Sequence, residues 1–328
     1  MENTAQDFWK MRRAFVSGGT GLLGCWLIDE LLLRGAKVTC LVRDWTPASR
    51  LFTEGTFQKV NIVRGELEDY LTLARILNEY EIDSVFHLAA QTNVDNSTRS
   101  ALSTFESNIR GTWNILEACK MLGEQVHRIV IASSAQAYGT SSELPYTEEM
   151  PLQGCYPYDV SKSCADLIAR AYIYTYQTPI AILRCSNLYG GGDLNFNRII
   201  PGTIRSILAG EAPVIRGDGK PVREFLYVKD AIRAFIGVAE RLPEEKIFGQ
   251  SFNVSSEQPL SVLAVVQLIL DLMHEDRLQP VVLNQVVPEI QVQQLDCKKA
   301  HSMFNWRATY TLKAGLQETI DWYRFNLK

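Results

Sequence analysis

Short apolar runs alternate with amphipathic runs at regular intervals through the first 185 residues. The short runs predict strands over Arg13–Ser17, Lys37–Val42, Val60–Val63, Ser84–Leu88, Arg128–Ala132 and Ile180–Leu183. The amphipathic runs predict helices over Leu22–Leu33, Leu71–Tyr80, Phe105–Met121 and Ser161–Tyr176. Apolar strands that alternate with helices are typical of a parallel sheet with right-handed crossovers and helices on both faces. We therefore expect an α/β fold built on a doubly wound parallel sheet.

The pattern changes after Ser186. A stretch rich in glycine and asparagine, Tyr189–Asn197, is followed by weaker strand signals and by loops rich in proline and glycine. Two further helices are predicted over Leu260–Met273 and Leu312–Phe325. We divide the chain into a first domain over 1–185 and a smaller α/β lobe that makes up most of 186–328. Segment 227–242 is expected to return and pack on the first domain.

Composition and charge narrow the class of protein. The chain has 328 residues, of which 46% are hydrophobic and 21% are charged, as in folded soluble proteins. Its 33 basic and 37 acidic side chains give a net charge of -4, which offers no electrostatic attraction to nucleic acid. The longest apolar stretch, Leu260–Leu270, is too short for a membrane span, and the first residues lack the apolar core of a signal peptide. We expect a soluble, cytoplasmic protein with no nucleic-acid or membrane partner.

The seven cysteines are scattered, and no two of them are spaced as C-x-x-C. This spacing favours neither a zinc ribbon nor a redox pair, and it is typical of free thiols in a reducing cytosol. The four histidines are far apart in the sequence and have no carboxylate at ligand spacing. We therefore expect no metal site.

A glycine-rich turn follows the first predicted strand and leads into the first predicted helix. Gly18, Gly21 and Gly24 allow a tight turn, close approach of the backbone to a pyrophosphate, and close packing of helix on strand. The helix N-terminus then offers free N–H groups and the positive end of its dipole to phosphates. This arrangement predicts a Rossmann-type domain that binds a dinucleotide, with the second lobe holding the substrate.

The second strand ends in Leu41-Val42-Arg43-Asp44. An acidic residue about 20 positions after the glycines usually binds the adenine ribose, but Val42 occupies that position here. Arg43 can instead pair with a 2′-phosphate, which favours NADP over NAD. The alternative is that Arg43 is solvated and that Asp44 binds the ribose.

Tyr158 and Lys162 lie four residues apart at the start of a predicted helix and therefore share one face. A tyrosine becomes a useful base when its pKa falls from about 10 towards neutrality, which a nearby ammonium and a cationic nicotinamide would cause. Ser133 and Ser134 follow the fifth strand, at the end of the sheet where ligands of parallel sheets bind. The order along the chain would bring the three groups together.

Further motifs accompany these residues: His87-Leu88-Ala89-Ala90, Asn108-x-x-Gly111-Thr112, Arg184-x-x-Asn187-x-Tyr189-Gly190, Arg223-Glu224-Phe225-x-Tyr227-Val228-x-Asp230 and Leu312-x-x-Gly315-Leu316. With the glycine turn, Ser134 and the Tyr158/Lys162 pair, they resemble the extended short-chain dehydrogenases/reductases. Within these, the chain resembles the nucleotide-sugar epimerases and 4,6-dehydratases over nearly its whole length. Leu144–Thr147 and Ser161–Asp166 are particularly similar to CDP- and GDP-hexose 4,6-dehydratases.

The resemblance implies roles for individual residues. Tyr158 would deprotonate a sugar hydroxyl, usually at C4, while Ser134 holds the same oxygen and Lys162 holds the nicotinamide ribose. A tightly bound NAD(P) would further be contacted by Gly18, Thr20, Gly21, Leu22, Leu23, Arg43, Glu66, Leu67, Ala89, Ala90 and Asn108. The nucleotide-diphosphate sugar would be bound by Ser134, Gln136, Asn187, Arg198, Ile199 and Arg223, with Arg223 on the diphosphate. The resemblance also implies a homodimer.

The chain departs from the dehydratase pattern directly after Ser134. Dehydratases of this family typically carry an acid and a base at the next two positions, whereas this chain has Ala135 and Gln136. Neither side chain has a useful pKa for proton transfer. Epimerisation needs no additional acid or base, and alanine is common at this position in 4-epimerases. A second departure is Glu289-Ile290-Gln291, a region where relatives often have a phosphate-binding arginine.

Our leading hypothesis from the sequence is an NAD(P)-dependent nucleotide-sugar epimerase that acts through a transient 4-keto sugar. The first alternative is a CDP- or GDP-hexose 4,6-dehydratase that takes its acid and base from elsewhere. Arg43 leaves a second alternative open, an NADPH-dependent keto-sugar reductase. A non-catalytic dinucleotide sensor on the same fold is a third, against which the intact Ser134, Tyr158 and Lys162 argue.

Overall fold

The computed structural model describes residues 8–92, 99–244, 246–286 and 289–327. Its strands are β1 (Arg13–Ser17), β2 (Lys37–Val42), β3 (Asn61–Arg64), β4 (Ser84–His87), β5 (Arg128–Ser134), β6 (Ile180–Cys185), β7 (Asn187–Tyr189), β8 (Val214–Ile215), β9 (Val222–Tyr227), β10 (Ser251–Val254), β11 (Pro259–Ser261) and β12 (Val281–Val282). Its α-helices are α1 (Leu22–Leu33), α2 (Arg50–Thr53), α3 (Tyr70–Glu79), α4 (Ala101–Phe105), α5 (Gly111–Met121), α6 (Pro157–Tyr176), α7 (Ile199–Leu208), α8 (Val228–Arg241), α9 (Val262–Met273), α10 (Lys298–Phe304) and α11 (Leu312–Asn326).

Seven of the described strands form one sheet in the order β10-β6-β5-β4-β1-β2-β3, and all neighbouring pairs are parallel. The chain builds outward from β1 through β2 and β3 and then crosses to the other side of β1 to form β4. In such sheets the crevice where the strand order reverses, at the carboxyl ends of the strands, is where ligands bind. The α/β fold with a doubly wound, Rossmann-type sheet is confirmed.

Apolar side chains cover both faces of this sheet. Phe15 packs with apolar residues of α3, α5 and α6, whereas the next residue, Val16, packs with those of α1 and α8. Strands β4 and β6 are buried at every position. Burial on both faces explains why these strands appear in the sequence as continuous apolar runs rather than as alternating ones.

The second half of the chain forms smaller sheets and also extends the first one. Strands β7, β9 and β11 form a three-stranded sheet, β8 pairs with β12, and helices α7, α9 and α11 pack together. Helix α8 packs on α1 and on strands β5 and β6. Strand β10, which the sequence analysis did not predict, pairs with β6 and becomes the edge of the seven-stranded sheet.

Two helices differ from their predicted limits in ways that affect the site. Helix α6 begins at Pro157 rather than at Ser161, because the fixed φ of proline suits the first position of a helix. This start places Tyr158 inside the first turn. The segment predicted as one helix over Phe105–Met121 is instead α4, a π-helical turn over Glu106–Arg110, and α5. None of the helices in the described ranges has the length and hydrophobicity that a membrane crossing needs.

Candidate active site

A cleft of about 650 Å³ opens over the carboxyl ends of the strands, between the sheet and the second half of the chain. Two residues of the predicted site, Glu66 and Asn108, do not line it, and Glu68 lines it beside Leu67. The other predicted residues all line this cleft: Gly18, Thr20, Gly21, Leu22, Leu23, Arg43, Leu67, Ala89, Ala90, Ser134, Gln136, Tyr158, Lys162, Asn187, Arg198, Ile199 and Arg223.

The glycine-rich turn forms one wall of the cleft. Gly18 has a φ of +78°, and a Cβ there would lie 2.8 Å from the backbone nitrogen of Ala89. A Cβ on Gly24 would lie 2.1 Å from the carbonyl oxygen of Gly18. A Cβ on Gly21 would meet the Gly18 oxygen at 3.4 Å and no closer atom, so packing within the protein does not demand glycine at 21. The absence of a side chain at Gly21 chiefly leaves room for a group that binds in the cleft.

Helix α1 begins directly behind this turn. Its N-cap is Gly21, and no side-chain hydrogen bond caps the helix. The first N–H groups of a helix lack partners within the helix and carry its positive dipole end. This end of the cleft therefore suits an anion such as a pyrophosphate.

Two buried hydroxyl groups face the cleft without a partner. Ser133 and Ser186 line it, and their Oγ atoms are buried and accept or donate no hydrogen bond among the described residues. A buried polar group without a hydrogen bond is costly unless a ligand or water completes it. Together with the bare glycine turn, these hydroxyl groups fit a polar cofactor lying along the carboxyl ends of the strands.

Arg43 and Asp44 stand side by side at the rim of the same cleft. The Nε atom of Arg43 donates to Oδ2 of Asp44 at 2.7 Å, and both side chains are exposed. An exposed ion pair of this kind contributes little to stability. Either side chain is free to turn towards an adenosine ribose, so both alternatives from the sequence remain geometrically open.

Ser134, Tyr158 and Lys162 meet at the centre of the cleft. The side chain of Ser134 lies close enough to Tyr158 to lower the pKa of its hydroxyl group. The Nζ atom of Lys162, one helical turn after Tyr158, lies 5.9 Å from the centroid of the Tyr158 ring and donates to the carbonyl oxygen of Ala132 at 2.9 Å. The side chains of Tyr158 and Lys162 are both buried.

Burial governs the pKa values of the two groups. It raises the pKa of Tyr158 to about 12, against the opposing effects of the positive charge of Arg198 and of the hydrogen bond to Ser134. It lowers the pKa of Lys162 to about 8. From the sequence we expect Lys162, together with a cationic nicotinamide, to lower the pKa of Tyr158. In the structure the cation that does so is Arg198, and Lys162 is bound to a strand carbonyl instead.

Asn108 lies behind the wall of the cleft and supports it through hydrogen bonds. Its side chain is buried, accepts from the backbone nitrogen of Gln91 at 2.6 Å and donates to the carbonyl oxygen of Gln91 at 3.1 Å. It also donates to Oγ of Ser161 at 2.9 Å, the residue before Lys162. Asn108 thus fixes the loop after β4 to helix α6 rather than lining the cleft itself.

His87, at the end of β4, belongs to the same supporting layer. Its Nδ1 lies 2.9 Å from Oγ of Ser17 and its Nε2 lies 3.0 Å from Oγ1 of Thr112, which itself donates to the carbonyl oxygen of Asn108. Because Thr112 has already used its proton, Nε2 of His87 is the donor and Nδ1 accepts from Ser17. Burial, helped by the charge of Lys162, lowers the pKa of His87 to about 3, so this histidine is neutral.

Ion pairs hold the two arginines that line the cleft at the predicted substrate site, Arg198 and Arg223. Nη1 of Arg198 pairs with Asp193 at 2.8 Å. Nη2 of Arg223 pairs with Oε2 of Glu289 at 2.7 Å, and Glu289 also lines the cleft. The sequence marked Glu289 as a departure but gave no sign of this pair, because the two residues are 66 positions apart.

Positions 135 and 136 differ in their surroundings. Ala135 is buried and packs in the hydrophobic core, whereas Gln136 lines the cleft beside Ser134. Its backbone nitrogen donates to Oγ of Ser134 at 3.2 Å.

Within the described ranges, no three His, Cys, Asp or Glu side chains are close enough to hold a metal ion.

The family model and the similar proteins of known sequence agree on one family. The model of the family described as GDP-mannose 4,6 dehydratase matches residues 15–319. A dTDP-glucose 4,6-dehydratase from Xanthomonas campestris is 30% identical over 332 residues, which cover 95% of this chain and 93% of that protein.

Solved structures of both reaction types share the fold. UDP-glucose 4-epimerase from Thermotoga maritima, solved with UDP-glucose, superposes with a TM-score of 0.87 at 25% identity, covering 96% of this chain and 100% of that one. The dTDP-glucose 4,6-dehydratase from Streptomyces venezuelae, solved with NAD, gives a TM-score of 0.86 at 28% identity and covers 96% and 97%.

Proposed function

The chain belongs to the GDP-mannose 4,6-dehydratase family of NAD-dependent nucleotide-sugar enzymes, and we propose that it works in this family as an epimerase through a transient 4-keto sugar. The observation that carries this proposal is the pair of residues after Ser134. Elimination of water needs an acid and a base beside the sugar, and the two positions hold a buried methyl group and an uncharged amide. Epimerisation needs only one proton acceptor and a returning hydride.

The proposed cofactor is a tightly bound NAD(P). The glycine turn and the uncapped start of α1 would hold its pyrophosphate, and Ser133 and Ser186 offer their unpaired hydroxyl groups to it. A bound nicotinamide would supply an acceptor and a donor of hydride. Arg43 favours NADP over NAD because a guanidinium pairs well with a 2′-phosphate, while Asp44 offers the competing contact to an unmodified ribose.

Tyr158 would take the proton of the C4 hydroxyl group as hydride leaves C4, and it would return the proton after the sugar has turned. Ser134 would hold the same oxygen, since its side chain lies beside that of Tyr158. The raised pKa of Tyr158 means that the base form needs a further positive charge nearby, beyond that of Arg198. Lys162, bonded to the Ala132 carbonyl, would hold the nicotinamide ribose.

The proposed substrate is a nucleotide-diphosphate sugar that extends from Ser134 to Arg223. Gln136, Asn187 and Ile199 line the part of the cleft available to the sugar and its neighbours, with Arg198 beside Tyr158. Arg223 would bind the diphosphate, but it must share its guanidinium with Glu289. The substrate therefore competes with a carboxylate for this arginine.

A 4,6-dehydratase is the second candidate, and the names of the similar proteins favour it. It would require an acid and a base from positions other than 135 and 136. An NADPH-dependent keto-sugar reductase is a further candidate and rests on Arg43 alone.

A homodimer is proposed from the outer faces of α5 and α6, which pack side by side. Val160, Cys164, Leu167, Ala171 and Tyr174 form an apolar stripe along α6, spaced alternately four and three residues apart. Exposed Trp113 lies on the neighbouring α5. An apolar stripe on one helix beside an exposed tryptophan on the next suits a second copy of the same surface. The free cysteines fit a reducing compartment, and we propose the cytoplasm.

The test is chromatography and mass spectrometry of purified protein incubated with GDP-, CDP-, UDP- and dTDP-hexoses. An epimerase gives a new peak of unchanged mass without added cofactor, and the substrate that reacts identifies the nucleotide. A product lighter by one water would overturn the epimerase proposal in favour of a dehydratase. A product heavier by two hydrogens, with consumption of NADPH, would indicate a reductase.

A further inference from the structure

A second cavity, of about 790 Å³, lies at the opposite end of the sheet from the candidate active site. It is lined by the residues at which β5 and β6 begin and by the last turns of α5 and α6. The volume is in the range of small-molecule binding sites. No step of the proposed reaction uses this cavity.

Arg128, the first residue of β5, is buried in the wall of this cavity. It is 6% exposed, and its Nε and Nη1 atoms are buried without a hydrogen-bond partner among the described residues. Thr178, just before β6, is 4% exposed, and its Oγ1 atom is likewise buried without a partner in the described part of the chain. A buried guanidinium without an acceptor is one of the costliest groups to leave in a protein. Both unsatisfied groups line the same space.

The charged group beside Arg128 is another arginine rather than a carboxylate that would neutralise it. Arg12 also lines the cavity, and the guanidinium groups of Arg12 and Arg128 lie 4.2 and 4.9 Å from the centroid of the Phe8 ring. Burial first, and the charge of Arg12 second, lower the pKa of Arg128 to about 10. At neutral pH Arg128 therefore remains charged, beside a second guanidinium group of the same sign.

The nearby carboxylates are already engaged or exposed. Asp83 acts on Arg128 through its charge, but its two oxygens accept from the backbone nitrogen of Arg13 at 2.9 Å and from Oγ of Ser84 at 2.6 Å. Glu124 lies on the exposed rim of the cavity. Neither carboxylate forms a hydrogen bond or an ion pair with Arg128.

We propose that this cavity is a phosphate-binding site, in which Arg128 and Thr178 bind the phosphate group of a small molecule and Arg12 completes the charge balance. Two guanidinium groups match the charge of a phosphate dianion, and an arginine binds two of its oxygens at once. The Thr178 hydroxyl group supplies a further donor. The bound group would satisfy the polar atoms that the protein leaves unpaired. The site is independent of the proposed reaction.

The test measures binding of inorganic phosphate at constant ionic strength, by calorimetry, to the whole protein and to four variants. Arg128→Met removes the buried charge at similar length, and Thr178→Val removes one donor at constant shape. Arg75→Met, on the exposed face of α3, is the matched control, and Arg223→Met removes the arginine proposed to bind phosphate in the main cleft.

We expect phosphate affinity to fall by roughly tenfold or more in Arg128→Met and by a smaller factor in Thr178→Val. Arg75→Met and Arg223→Met should retain this binding event. The proposal is overturned if Arg128→Met and Thr178→Val bind phosphate as the unmodified protein does, or if Arg223→Met alone abolishes binding. Thr178→Val keeps the test decisive if Arg128→Met does not fold.

Two further measurements identify the source of the phosphate and separate this site from the active site. Competition by glucose 1-phosphate at the Arg128 site indicates a phosphate ester as the natural ligand, and binding of inorganic phosphate alone indicates the free ion. Either result agrees with the proposal. Turnover of nucleotide sugar in Arg128→Met without phosphate should equal that of Arg75→Met, whatever reaction the main cleft performs.

Discussion

Tyr158 is the residue on which the proposed chemistry depends most directly. Changing it to phenylalanine removes the hydroxyl group that would accept the sugar proton and leaves the packing of α6 intact. We expect kcat to fall by about 10²–10⁴-fold, the usual contribution of general acid–base catalysis. Tyr172→Phe is the matched control, because Tyr172 lies on the same helix and its hydroxyl group bonds Glu117 outside the cleft. Equal activity of the two variants would exclude Tyr158 as the base.

Arg43 and Asp44 provide a residue-level test of cofactor choice. We expect Arg43→Ala to weaken NADP binding by roughly tenfold or more with little effect on NAD, since it removes a charge-assisted pair with the 2′-phosphate. Asp44→Ala should weaken NAD binding instead. Titration of both variants with both cofactors measures the four affinities. A larger loss of NAD than of NADP in Arg43→Ala would contradict the assignment.

Asp159, the neighbour of Tyr158, makes stability depend on pH. Burial raises the pKa of its carboxyl group from 3.8 to about 6. Between these values the folded state binds more protons than the unfolded state, so this group lowers the free energy of unfolding as pH rises from about 4 to about 6. We expect the Tm of the unmodified protein to fall relative to that of Asp159→Asn across this window. A constant difference in Tm between the two proteins would show that Asp159 does not titrate there.

Beyond single residues, the buried ion pair between Arg184 on β6 and Asp166 on α6 fixes two elements of the site to each other. Its two hydrogen bonds are both 2.9 Å, and both side chains are almost fully buried. We expect Asp166→Asn to lower the free energy of unfolding by about 3–5 kcal/mol, because it leaves Arg184 buried and uncompensated. Glu79→Gln, which breaks the exposed pair with Arg75, should cost less than about 0.5 kcal/mol. Urea unfolding of both variants measures the contrast, and equal losses would contradict it.

The elements that sequence patterns predicted are those whose signal is local. Strands β1 and β2 and helix α1 have the predicted limits, because each is a nearly continuous apolar run bounded by glycine or charged residues, a signal that is local in the sequence. Strand β10 was missed because polar Ser251 and Asn253 interrupt its apolar residues, which leaves no continuous apolar run. Its pairing with β6 joins residues far apart in sequence.

Within the cleft too, the sequence predicted the features that have a local signal and missed those that depend on packing. The spacing of Tyr158 and Lys162 predicts a shared helix face, and in the structure both line the cleft together with Ser134. Sequence could not predict that Lys162 bonds to the Ala132 carbonyl, that Glu289 pairs with Arg223, or that Asn108 lies behind the wall. These contacts depend on how elements pack, which no local pattern encodes.

For the whole molecule, the exposed stripe on α6 and Trp113 on α5 predict self-association. We expect light scattering to give a mass of twice 37.0 kDa, and Trp113→Glu combined with Leu167→Glu to give a monomer, because charges would be buried at the interface. Leu71→Glu, at an exposed leucine of α3, should leave the dimer intact. A monomeric unmodified protein, or a dimer that survives the double change, would refute this interface.

Strand β10 also has a consequence for synthesis of the chain on the ribosome. Strand β6 emerges well before β10, and at about 5–20 residues per second several seconds pass between them. During this interval β6 is an unpaired apolar edge, the kind of edge that joins other chains. The order of synthesis therefore leaves β6 of each nascent sheet exposed to neighbouring chains on a polysome until β10 covers it.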